Sequence, residues 1–218
     1  MQKCGDSVGV CFLWRAPSCL VKIKVKPGGS AIICLPKEIL NMSTSRLMLL
    51  NVIAFQLLWW LCVLSPAHGW EVLVLFVTLL YTWAHLRWVE SSQQLWPLLL
   101  TAVVGCLLDQ YLFRMDWVKF PHQQDMLAYI PLWMMALWLG FATTLNLSMH
   151  WLQHRLLLAT LLGAIFGPIA YLGAEKMGAV VLTQLPTSLV LVAVEWAIAL
   201  PLLLYIRRRF NQQMGSRR

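Results

Sequence analysis

Trp138-Leu-Gly-Phe-Ala-Thr-Thr-Leu-Asn-Leu-Ser-Met-His-Trp151 is the stretch that decides how this chain folds. It opens as an apolar helix. Thr143, Thr144 and Asn146 then fall where such a helix would leave a bilayer. A short basic segment follows, His150 to Arg155, and leads into a glycine-studded helix. An unpaired polar group in hydrocarbon is costly, so a change from leucine and tryptophan to threonine, asparagine and histidine marks a membrane–water boundary.

The rest of the sequence supports that reading. It is 60% hydrophobic and 12% charged over 218 residues, whereas a soluble domain is about half apolar and about a quarter charged. One globule of this length cannot hide so much apolar surface, so lipid is the expected solvent. The net charge of +8 does not indicate nucleic acid. The basic residues gather at the two ends and in short loops, and neither an RNA-binding motif nor a basic stripe interleaved with aromatics occurs. Cys4, Cys11, Cys19 and Cys34 lie near the N-terminus, and Cys62 and Cys106 in apolar segments. Without a CxxC pair, neither a metal nor a redox centre is expected. His150 and His154 stand four apart but lack a third ligand. No cofactor is implied.

Residues 1–41 differ from the remainder: Cys, Gly, Pro and Lys mix there without a helical or strand period. Met42-Ser-Thr-Ser-Arg-Leu-Met-Leu-Leu reads as the normal start of an inner-membrane protein. Lys37-Glu38 can be encoded by AAGGAG, a ribosome-binding sequence, a few codons before Met42. Met42 is therefore the expected start and 1–41 a misassigned leader, with a disordered cytoplasmic tail as the rival. A peptide from 1–41 in the mass spectrum of the native protein overturns the first. Without the leader, which holds six basic and two acidic residues, the net +8 falls to +4.

Six apolar segments follow, at 47–64, 70–88, 95–113, 127–149, 156–174 and 187–206. Each approaches the ~20 residues that cross a bilayer. Ser65-Pro66-Ala67-His68-Gly69 closes the first, and Pro186 marks the entry of the last. The expectation is an all-α membrane protein, a single six-helix bundle over 42–218. Orientation follows from Lys and Arg. One side holds Arg46, Arg87, Arg155, Arg207, Arg208, Arg209, Arg217 and Arg218, the other Arg114, Lys119 and Lys176. That asymmetry places both termini in the cytoplasm, in a bacterial inner membrane. Small residues at four-residue spacing, Ala159, Gly163 and Gly167, form a stripe suited to close helix packing, within the chain or against a partner or second copy.

The motif Trp138-x-x-Phe-Ala-Thr-Thr-Leu-Asn-x-Ser-x-x-Trp-Leu152, with Gly163-Ala-x-x-Gly-Pro-x-Ala-Tyr171, Gly178-Ala179 and the opening Asn51-x-x-x-Phe-Gln-x-x-Trp59, resembles a family of small bacterial inner-membrane proteins described as a domain of unknown function. The similarity runs from about Leu49 to Arg207. It implies a multi-pass membrane fold and no particular activity.

Polar residues inside spans are costly and so point to function. They fall in two layers. Near the inner surface lie Asn51, His85, Thr143, Thr144 and Asn146. Deeper lie Asp109, Gln110 and Glu195, with Gln56 near the centre. Each layer has a structural reading, interhelical hydrogen bonds, and a functional one. For the inner layer the functional reading is a polar pocket for a headgroup or small polar substrate. For the deeper layer it is two carboxyls that share a proton or hold a cation. GxSxG, P-loop, HExxH and dinucleotide motifs are absent. The preferred expectation is binding or transport of a lipid or small amphiphile through a polar interior. The alternatives are an accessory subunit of a membrane complex and an intramembrane lipid-modifying enzyme.

Overall fold

The structure, a computed structural model, describes residues 21–25, 29–33, 43–123 and 129–215. The chain divides into two compact units, Met1–Leu47 and Met48–Arg218. In the first, β1 (Val21–Val25) and β2 (Gly29–Ile33) pair antiparallel, Val21 opposite Ile33. Val21-Lys-Ile-Lys-Val25 alternates apolar and charged residues, a strand period that the sequence reading passed over. Residues 1–20 and 34–42, including Met42 itself, lie outside the described residues.

Among the described residues six helices follow: α1 (Thr44–His68), α2 (Glu71–Trp88), α3 (Leu95–Arg114), α4 (Leu132–Ala142), α5 (Leu156–Lys176) and α6 (Thr187–Gly215). A 3₁₀ turn precedes α3 (Ser92–Gln94) and another precedes α5 (His150–His154). A two-residue ribbon joins β3 (Val118–Lys119) to β4 (Val181–Leu182). α1 runs through Pro66, whose missing N–H leaves the Cys62 carbonyl free. The Ser65 hydroxyl donates to that carbonyl at 2.8 Å. The helix then stops in a left-handed turn at Gly69, φ 69°, with Trp70 N–H on the Ser65 carbonyl.

Hydrogen bonds tie helix ends together and fix their directions. Asn51, early in α1, meets Tyr81, late in α2. Gln94, at the start of α3, meets Asn211, late in α6. Gln153, just before α5, meets Asn146, just after α4. With the Asn51–Thr143, Asn146–Gln94 and Asn146–Asn211 bonds, the starts of α1, α3 and α5 and the ends of α2, α4 and α6 gather at one end, so successive helices alternate in direction.

Among the described residues, four helices are long and apolar enough to cross a membrane: Thr44–His68, Ser92–Arg114, Leu156–Lys176 and Thr187–Met214. The expected count of six is reduced on two grounds. In α2, Glu71, His85 and Arg87 dilute an 18-residue helix. The expected span 127–149 is an 11-residue helix, Leu132–Ala142. It begins only after Pro131, which is extended at φ −67°, ψ 160°. It ends because Thr143 and Thr144 turn their hydroxyls onto the Gly140 and Phe141 carbonyls, both at 2.7 Å. Their backbone N–H groups bond three residues back to the same two carbonyls. Three-residue closure tightens the helix out of its α pitch, and irregular turns run on to Met149.

α4 is apolar on every face, the pattern of a wholly enclosed helix. Trp133, Ala136, Trp138 and Ala142 are all buried. α1 and α5 instead present Leu57, Leu157 (85% exposed), Leu161 and Ile165 outward, an apolar surface that needs lipid.

Candidate functional site

A cavity of about 800 Å³ is bounded by α1, α4 and α5, with Trp196 and Leu200 of α6 on its wall. α1 contributes Phe55, Trp59 and Trp60, and α4 contributes Trp133, Trp138 and Phe141. Besides the tryptophans, its polar side chains are Gln56, Asp109, Tyr171 and Lys176. The lining residues Trp60, Phe166 and Ile169 are also 47%, 61% and 54% exposed. The cavity thus opens sideways between α1 and α5, on the apolar outer surface.

Asp109 is positioned by a missing side chain. A Cβ on Gly105, one turn earlier in α3, would meet Trp138 Cε3 at 2.1 Å. The bare backbone lets the indole lie against α3 and donate Nε1–H to Asp109 Oδ2 at 2.6 Å. The Tyr171 hydroxyl of α5 donates to Oδ1. Trp138 stacks on Trp196 at 5.1 Å and 15°, and Phe141 meets both rings edge-on. Trp196 is seated by glycine too. A Cβ on Gly163 would lie 2.2 Å from the Trp196 carbonyl oxygen, and one on Gly167 would lie 2.3 Å from its Cγ. Gly163 and Gly167 are therefore packed against α6 within the chain, and Ala159 of the same stripe is buried.

Of the four deeper residues, Asp109 and Gln56 line the cavity. Glu195 is not a lining residue but stands near enough to Asp109 and Tyr171 to act on them electrostatically. Both its oxygens are buried and have no hydrogen-bond partner among the described residues. Gln110 serves the backbone: its Oε1 accepts the Ile130 N–H at 2.9 Å, ahead of α4.

The inner layer gathers on the irregular turns after α4. Asn51 Nδ2 donates to the Tyr81 hydroxyl at 2.9 Å and lies 3.4 Å from Thr143 Oγ1. Asn51 Oδ1 accepts from Ser148 Oγ at 2.6 Å. Asn146 belongs to a second group. Its Oδ1 accepts from Gln153 at 2.9 Å and from Asn211 at 3.0 Å, and its amide reaches Gln94 at 3.3 Å. The Thr144 hydroxyl donates back into its own helix, to the Phe141 carbonyl. His85 is apart from Asn146: its Nε2 lies 3.7 Å from Glu90 Oε2. Arg207, 0% exposed, holds both Glu90 oxygens, at 3.0 and 2.8 Å. Burial alone would raise the Glu90 carboxyl. The neighbouring His85 and the Arg207 guanidinium more than offset it and hold the group below the usual carboxylate range.

Sequence reasoning missed Tyr81, Glu90, Gln94, Gln153, Arg207 and Asn211. The one available signal was Arg207, a cation continuous with an apolar run. Its partner Glu90 is 117 residues away, beyond any local pattern.

The chain is a multi-pass membrane protein, with at least four apolar helices of spanning length. No curated protein and no solved structure matches it. One family profile does match, over residues 48–202 and so most of the chain, and by it the protein belongs to the family described as "Protein of unknown function (DUF2878)".

Proposed function

We propose that this protein binds or carries a lipid or small amphiphile in the cavity between α1, α4 and α5. The observation behind this reading is a cavity of about 800 Å³ with aromatic walls, one buried carboxylate and a side opening onto the lipid-facing surface. Its volume falls in the range of about 300–1,000 Å³ usual for small-molecule sites. All six helices cross a bacterial inner membrane in this reading, both termini inside. The alternation of helix directions supports six crossings. The short α4 crosses because the helices around it, rather than lipid, enclose its irregular end.

Ala170 lines the cavity, so Ala170→Trp should fill it. Native mass spectrometry of protein extracted in mild detergent should show a retained amphiphile on the wild type and its loss in the variant, with unchanged elution on size exclusion. Equal occupancy in both, or none in the wild type, refutes the proposal.

A further inference from the structure

Resting on that reading, we infer that the cavity's occupant is an amphiphilic organic cation, with Asp109 as its counter-ion. Asp109 is 2% exposed. Both its oxygens accept hydrogen bonds, from Trp138 and Tyr171. The indole can only donate, so this arrangement suits a carboxylate. Buried charges are normally paired. Among the described residues the ion pairs are Lys119–Asp116, Arg207–Glu90 and the His85–Glu90 contact, and none involves Asp109.

The walls meet that demand with the same sign. Trp59, Trp133 and Phe141 line the volume that Asp109 lines, and aromatic faces attract cations. An apolar, aromatic chamber with one carboxylate matches a positively charged head carried on a greasy body. Lys176 is the one lining group of opposite preference. It is exposed, on the last turn of α5, where water and salt screen its charge far more than that of Asp109.

Tetraphenylphosphonium and tetraphenylborate test this directly, being nearly equal in size and opposite in charge. Each is titrated by calorimetry into the full chain in uncharged maltoside micelles. The wild type should prefer the phosphonium by at least about tenfold. Asp109→Asn should erase that preference while keeping wild-type elution and near-ultraviolet dichroism. Equal affinity, or preference for the borate, in the wild type overturns the inference whether or not the variant folds. If Ala170→Trp then abolishes what binding there is, the cavity reading survives its loss. A folded Asp109→Asn protein that still prefers the phosphonium removes Asp109 from the role. Binding of neither probe, with no amphiphile displaced by Ala170→Trp, overturns both readings.

Discussion

Gly163→Ala isolates the contact that seats α5 on α6. The added Cβ would lie 2.2 Å from the Trp196 carbonyl oxygen and 2.8 Å from its carbon. Real Cβ atoms do not approach other atoms closer than 3.0 Å, so the helices must part by about 0.8 Å. The obstacle is backbone, so no side-chain rotation relieves it. Overpacking of this kind costs about 1–3 kcal/mol. Alanine gains about 0.8–1.0 kcal/mol over glycine in a helix interior, which partly masks the cost. Gly173→Ala on the same helix cancels that gain, because its Cβ meets only the tip of Trp59, at 3.3 Å. The two variants should differ by about 2 kcal/mol, or about 4–8 °C in thermal midpoint for a chain of this size. Tryptophan fluorescence on heating in detergent, at one fixed scan rate, reads the difference. If Gly163→Ala melts at or above Gly173→Ala, the close approach of α5 to α6 is wrong, and with it the seating of Trp196.

The buried ion pair makes two further predictions. Arg207→Met strands Glu90 and should cost about 3–5 kcal/mol, whereas the double variant Arg207→Met/Glu90→Gln should recover most of it. SDS titration of the folded fraction measures both, and a single variant as stable as the wild type refutes the pairing. Glu90 also predicts a pH dependence. Its carboxyl is held below the usual range in the folded state, so its contribution is fully present above the unfolded value of about 4.3. It is lost as pH falls through the lower folded value. Glu90→Gln should therefore flatten the loss of thermal midpoint between about pH 5 and pH 3, and an unchanged slope rules out this carboxyl as a source.

The parts of the fold legible in the sequence were those written in short-range chemistry. Gly69 stops α1 and Thr187 opens α6 after Pro186 because backbone conformation at those residues is a local matter. The failure at 127–149 has a definite cause. Hydropathy weighs side chains and is blind to where threonine hydroxyls bond, so it carried a helix straight through Thr143 and Thr144. The face of Asp109 could be read from its spacing to Gly105 and Thr101, but its partner Trp138 could not, lying 29 residues away. Arg207 had been assigned to the cytoplasmic charges; its burial against Glu90 leaves seven such residues against three.

The brevity of α4 bears on how the chain is made. Eleven residues rise about 16 Å, roughly half of a ~30 Å hydrocarbon layer, and the seven that follow run in irregular turns that the folded protein shelters but acyl chains could not satisfy. If all six helices cross, as proposed, a nascent polypeptide cannot leave this segment alone among lipids. Asn146 finds Gln153 seven residues later, but Asn211 only once α6 has been synthesised, 65 residues on. The settling of this segment is thereby tied to the synthesis of α6, so a product truncated before α6 would leave an unsheltered stretch for membrane proteases to find.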